Sequence, residues 1–145
     1  MPYRTIVIGV VLLSLVAVFV SIINYSPAQN ELRVASLFTF EVVRTPEAQK
    51  QGLGGRTELP ANYGMLFVFP EDAVYHFWMK DMLVSIDIVW LSANGEIVAI
   101  DEAVSPDTYP DSFYPPRPVR YVLETRSGEA VAQGFVVGKH IDLPI

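Results

Sequence analysis

Cysteine is missing from all 145 residues. That removes disulfides, thiolate nucleophiles and thiolate metal ligation together, so an exported domain of this chain is held by its core alone. Basic charge is scarce: 10 Lys and Arg stand against 16 Asp and Glu, a net charge of −6. Such a balance lacks the basic patches that neutralise phosphates, which argues against a nucleic-acid partner and against tight docking on anionic lipid headgroups. Histidine occurs only as His76 and His140, in no ligand spacing, and Asp101, Glu102 and Asp107 come without a calcium-loop pattern. No metal and no cofactor are expected. The serines stand in no nucleophile-elbow context, which leaves a serine triad without support. The glycine-rich string Gly52-Leu53-Gly54-Gly55-Arg56 lacks the Lys-Ser/Thr of a phosphate loop, and it reads as a flexible helix exit that places Arg56.

What is abundant is apolar: 51% of the residues are hydrophobic. One block of them, Ile6 to Ile23, is interrupted only by Gly9, Ser14 and Ser21. At helical rise it reaches about 27 Å, roughly the hydrocarbon thickness of a bilayer. Arg4 and the α-amino group precede it, so the positive-inside rule sends everything after Asn24 to the outer side. Residues 1–25 are therefore expected to be an N-terminal membrane anchor or signal segment. Ser26-Pro27-Ala28 has the small-x-small look of a processing site, while the length of the run favours an uncleaved anchor. Residues 26–31 form a short polar linker, and residues 32–145 a single domain close to the bilayer. Without Arg4 that remainder has nine basic and 16 acidic residues, a net charge of −7.

Within the domain the pattern is that of strands. Leu32 to Val43 alternates through Phe38, Phe40 and Val42, and reads as one or two strands. A short helix follows, with Thr45 as cap, Pro46 at the first helical position, Glu47 in the first turn and Gly52 at the exit. Met65 to Phe69, Val74 to Met79, Val84 to Leu91, Glu96 to Asp101, Val119 to Glu124 and Ala130 to Val137 read as strands. Asn94-Gly95 is the clearest hairpin signal and Ser127-Gly128 a weaker one. Six to eight short strands with one short helix predict an all-β fold, a small barrel-like domain. Ser105 to Pro118, with five prolines, is longer than most connections, and its Tyr109, Phe113 and Tyr114 either stand over a neighbouring cleft or fold back on the core.

Charge inside the apolar stretch Gly64 to Leu91 marks the candidate site. Lys80, Asp81 and Asp87 lie among Phe, Val, Ile and Trp, where ionisable groups are rarely buried without partners. Trp78 and Lys80 share a strand face, and Asp87 lies on a strand that follows after a short turn, so a pairing across the sheet is expected. Two readings of that pair compete. It is a structural ion pair with Lys80 or Arg56 that fixes register, or it is the polar floor of a ligand pocket walled by Trp78. The expected ligand-binding set is Arg56, Trp78, Lys80, Asp87 and Glu124.

The strings Gly52-Leu53 with Arg56, Gly64-Met65-Leu66-Phe67-Val68-Phe69, Phe77-Trp78-Met79-Lys80, Ile86-Asp87-Ile88, Gly95 with Ile97, Tyr121-Val122-Leu123-Glu124, Gly134 and Gly138 together resemble domain-of-unknown-function family 192, over about Leu32 to Leu143. The resemblance implies a small, mainly β, barrel-like fold, often behind a signal or anchor in bacteria and archaea, and no established activity. This chain departs from the family pattern at Asp81-Met82, where Asn-Thr is usual, at Ser85-Ile86, where Pro-Leu is usual, and at Gly54, where Met is usual.

Three functions remain open on these residues. The first is a membrane-anchored extracytoplasmic domain that binds a small ligand or envelope partner near the FWMK strand. The second is an enzyme acting on an envelope substrate, with Lys80 or Asp87 as acid or base. The third is a structural accessory module that contacts a partner protein through the Pro-rich loop. The membrane itself is the remaining expected partner, through residues 6–23.

Overall fold

The computed structural model describes residues 38–145. The expected anchor or signal segment, its linker and the start of the first strand lie outside the described residues. Among the described residues no helix is long and apolar enough to cross a membrane.

Seven strands and two short helices follow in the order β1 (Thr39–Val43), α1 (Pro46–Gln51), β2 (Tyr63–Ala73), β3 (Phe77–Trp78), β4 (Ile86–Leu91), β5 (Ile97–Val104), β6 (Ser112–Phe113), β7 (Val119–Arg126) and α2 (Glu129–Ala132). Five strands form one sheet in the order β1-β2-β7-β4-β5, and β3 pairs with β6 as a separate ribbon. β1 runs parallel to β2, and the other neighbours are antiparallel. The fold is mainly β as expected, but the sheet is open: β1 and β5 are its two edges, so the barrel is not closed. A core on each face already covers the sheet without curling it shut.

Alternation along the strands divides the core. Met65 and Phe67 of β2, Ile86, Ile88 and Trp90 of β4 and Val122 of β7 face one layer, which Leu53, Phe77, Met79 and Met82 cover. Leu66, Val89, Leu91 and Leu123 face the other, beneath Ala130 of α2. β4 is buried along its whole length because β7 and β5 flank it and both layers press on it. The largest buried side chain, Trp90, keeps its indole N–H satisfied by donating to Asp101 Oδ2 at 2.7 Å.

α1 forms as its sequence signals. Thr45 Oγ1 accepts from the Ala48 amide, Pro46 opens the helix, and Gly52 closes it at φ 50, ψ −138. That combination is a region L side chains seldom adopt, so the exit requires glycine. Asn94-Gly95 does turn β4 into β5, with Gly95 at φ 83.

Three elements differ from the expected strands. β2 continues through Pro70 to Ala73, while its ladder with β7 is irregular between Val68 and Ala73; residues 74–76 therefore leave the sheet, and only Phe77–Trp78 forms strand in the expected Val74 to Met79 segment. Ala130 to Val137 is not a strand but contains the end of α2, and Ser127-Gly128 leads into that helix instead of turning a hairpin. The cause is tertiary: the Asp87 carboxylate reaches from β4 to accept the Ala130 amide at 3.0 Å, an N-terminal cap supplied by a distant strand. The Pro-rich segment splits its aromatics, with Phe113 packed on the core and Tyr109 and Tyr114 exposed.

Candidate functional site

The five expected site residues do not come together. Asp87 is fully buried, with Oδ1 accepting from the Ala103 amide at 2.9 Å and Oδ2 from the Ala130 amide at 3.0 Å. Its side chain lies on the α2 face of β4, whereas Ile88, the register partner of Glu124, points to the opposite layer. The expected Lys80–Asp87 pairing is thereby corrected, because β3 belongs to a ribbon apart from the main sheet and Asp87 spends both oxygens on backbone amides. The carboxylate is a structural clamp that caps α2 and fixes Ala103, whose φ is 52.

Arg56 is also taken up elsewhere. Its guanidinium contacts both oxygens of Glu41 at 3.0 Å and Tyr63 Oη at 2.6 Å, and Tyr63 in turn donates to Glu41. The Tyr63 hydrogen bond, joined by Arg56, holds the Glu41 carboxyl below its ordinary value despite the opposing effect of burial. Burial, with Glu41 beside it, pushes the Tyr63 phenol up to about 12. This is a half-exposed polar cluster at the β1 edge, which sequence reasoning missed because Glu41 and Tyr63 are 22 residues apart.

Glu124, Trp78 and Lys80 do share one site. A cavity of about 320 Å³ opens between the end of α1, strand β2 and the segment around β3. Phe67, Phe69, Tyr75, Phe77, Trp78 and Met82 make its apolar walls, Gln49, Gly52 and Leu53 line it from the helix exit, and Lys50, His76 and Lys80 stand at it with exposed side chains. Trp78 is 46% exposed, and Lys80 Nζ sits 6.0 Å from its ring centroid. Tyr109, from the Pro-rich loop, meets the same indole edge-on at 6.1 Å, so that loop extends the aromatic rim.

Glu124 is the unusual member. It is 5% exposed, and its Oε2 has no hydrogen-bond partner among the described residues. Burial pushes its carboxyl up to about 8, and the charge of Arg56 offsets only part of that. The strand position explains the placement: β7 alternates, and Val122 and Glu124 face the layer that also holds Phe67 and Phe77. Gly52 keeps the approach open, since a Cβ there would stand 3.8 Å from Glu124 Oε2 and 3.6 Å from Phe67 Cζ. A carboxylic acid protonated at neutral pH in an apolar wall can donate one hydrogen bond and accept others, or ionise against a cation.

Both departures at Asp81-Met82 fall beside this cavity. Met82 is buried and lines it, and the Asp81 carbonyl accepts from the Gly55 amide at 2.8 Å, tying the helix exit to the turn after β3. Asp81 itself sits at φ 59, a conformation that Asn and Asp tolerate better than most residues.

The family model of domain-of-unknown-function family 192, described as an uncharacterised ACR, matches residues 28–143. The chain belongs to this family. Two solved structures share the family 192 chain's fold with a TM-score of 0.69 each. One, from Sinorhizobium meliloti 1021 and described as a candidate transcription regulator, is 30% identical, with 72% of this chain and 81% of that one covered. The other, a protein of unknown function from Novosphingobium aromaticivorans DSM 12444, is 27% identical over 73% of this chain and 75% of its own. No curated protein matches.

Proposed function

We propose that this family 192 domain is held on the extracytoplasmic face of a membrane by residues 6–23 and binds a small, largely apolar ligand in the cavity floored by Glu124. One observation carries the ligand reading: a carboxyl side chain 95% withdrawn from solvent, with an oxygen that no group among the described residues satisfies, faces an open cavity. Leaving a buried polar atom unpaired costs about 1 to 3 kcal/mol, a cost that a ligand completing the hydrogen bond would recover. Apolar walls with few convergent polar groups are the ordinary composition of small-molecule sites. The cavity volume fits a ligand at the small end of the usual range of about 300 to 1,000 Å³.

Asp87 is a poor candidate for acid–base chemistry, because it is buried and both of its oxygens accept from backbone amides. The Sinorhizobium relative is described as a candidate transcription regulator, and the excess of acidic over basic residues here speaks against a nucleic-acid partner for this chain.

The test uses the full chain in non-ionic detergent micelles with ¹³C-methyl methionine. Met82 lines the cavity while Met65 is core. A screen of small apolar fragments is expected to shift Met82 ahead of Met65. A screen in which nothing moves Met82 overturns the ligand reading. Protease that reaches the domain only after the membrane is breached from outside to inside would overturn the extracytoplasmic placement.

A further inference from the structure

Resting on that ligand reading, we propose that the ligand is an organic ammonium, whose charged nitrogen is seated against the Glu124 carboxylate and enclosed by the aromatic walls of the cavity. The argument is the donor set. Phe67, Phe69, Tyr75, Phe77 and Trp78 all line the same space, and aromatic faces attract cations through the ring quadrupole. A buried carboxylate in a cavity lined by aromatic rings is the counter-charge that a desolvated ammonium requires. Among the described residues Glu124 Oε2 has no hydrogen-bond partner, and the charge that acts on it is that of Arg56, although Lys50 and Lys80 also line the cavity. Arg56 is already committed to Glu41 and Tyr63. Lys50 and Lys80 are exposed and solvated, placed to meet an anionic or polar tail at the mouth without neutralising the floor.

Binding of this kind is linked to protons. The groups around Glu124 are Lys50 on α1, Arg56 beyond the helix exit, Tyr75, His76 and Lys80 around β3, and Glu41, two strands away in the same cross-strand row through Met65. Glu124 holds its proton up to about pH 8 in the empty cavity, and an ammonium takes that proton's place, so one proton leaves for each ligand bound. Affinity for the cation therefore rises about tenfold per pH unit between roughly pH 5 and 7.5. A neutral acceptor that relies on the protonated carboxyl shows the opposite, losing affinity above pH 8.

The experiment titrates benzylammonium, benzyl alcohol and benzoate into the full chain in non-ionic micelles, reading the Met82 methyl at pH 5.5, 6.5 and 7.5. His76→Asn is run alongside, so that the slope is also read without an imidazole in the cavity wall. The expected result is that benzylammonium binds at least tenfold more tightly than benzyl alcohol at pH 7.5. Its affinity should rise about a hundredfold over the series in both proteins and fall to that of the alcohol in Glu124→Gln. If the alcohol or benzoate binds as well as or better than the ammonium, or the ammonium shows no pH slope, the ammonium inference is overturned while the cavity reading stands. If none of the three moves Met82 whereas other fragments do, the inference also falls alone. If no fragment of any kind moves Met82, the cavity reading falls with it. Should Glu124→Gln fail to fold, the pH slope in the wild-type chain decides the question by itself.

Discussion

Replacing Glu124 by Gln should make the protein more stable at alkaline pH, and the size of the gain follows from the burial of one carboxyl. In the unfolded chain that group titrates near 4.5, and in the folded cavity it is pushed up to about 8. The folded state thus holds a proton that the unfolded state releases across this window. Stability from the protonated group is complete below about pH 4.5, falls as pH rises, and is lost once pH passes the folded value. The displacement corresponds to a ceiling of about 5 kcal/mol above pH 8 and about 3 kcal/mol at pH 7. Water entering the open cavity will solvate the carboxylate and reduce both figures. Glutamine keeps the shape of the protonated acid and cannot ionise. At pH 5 the variant should lie within about 1 kcal/mol of wild type, and at pH 9 it should be more stable by about 2 to 5 kcal/mol. Urea unfolding of both proteins at pH 5, 7 and 9, with unchanged m-values, measures this directly. Parallel stability profiles for the two proteins would refute the reasoning. So would a loss of several kcal/mol in the variant at pH 5, which would mean that the carboxylate is ionised and paired in the fold.

Asp87→Ala removes two charge-assisted hydrogen bonds and the cap of α2, and should cost about 3 to 5 kcal/mol by chemical denaturation. Amide exchange in that variant should quicken first at Ala130 and Ala103. Gly52→Ala imposes a side chain at φ 50, ψ −138 without a steric clash, so strain alone should cost about 1 to 3 kcal/mol in thermal or urea unfolding. Arg56→Ala should cost less than about 1 kcal/mol at pH 7, because the Glu41 pair is part-exposed. The Glu41 carboxyl is held below its ordinary 4.5, so its contribution is present above that value and is lost as pH falls below it. In Arg56→Ala that acid-side decline should shrink, a difference readable from unfolding midpoints at pH 3 and pH 5.

Much of the local architecture was legible because it rests on short-range chemistry. Thr45, Pro46 and Gly52 bracket α1 as a cap, a pre-set φ and a positive-φ exit, each acting within its own turn. Alternation in Val84 to Leu91 assigned Asp87 and Leu91 to one face and Ile88 and Trp90 to the other, and the two cores divide along that line. Asn94-Gly95 turned as its φ preferences require. The strand from Val119 was placed with Glu124 on it, and Glu124 did reach the cavity with Trp78 and Lys80.

The errors share one cause, which is that a partner far along the chain decided the outcome. Ala130 to Val137 carries strand-like residues, yet the Asp87 carboxylate from 43 residues away makes a helical turn the better use of the Ala130 amide. Lys80 and Asp87 are close in sequence, but Lys80 lies in the turn after β3 while Asp87 lies on β4 of the main sheet with its side chain on the α2 face, a separation that only the strand order shows. Arg56 found Glu41 and Tyr63 at the sheet edge, contacts that no spacing rule supplies.

By itself, then, the sequence determined the residue classes on each strand face, the turns and caps, the mainly β character and the family, because these depend on covalent geometry and on neighbours a few residues away. Tertiary structure alone decided that the sheet stays open, that Asp87 is a clamp and that Glu124 is left unsatisfied among the described residues. Burial and hydrogen-bond partnership are properties of the groups that converge from different strands, and a carboxyl's environment is set by what surrounds it in space.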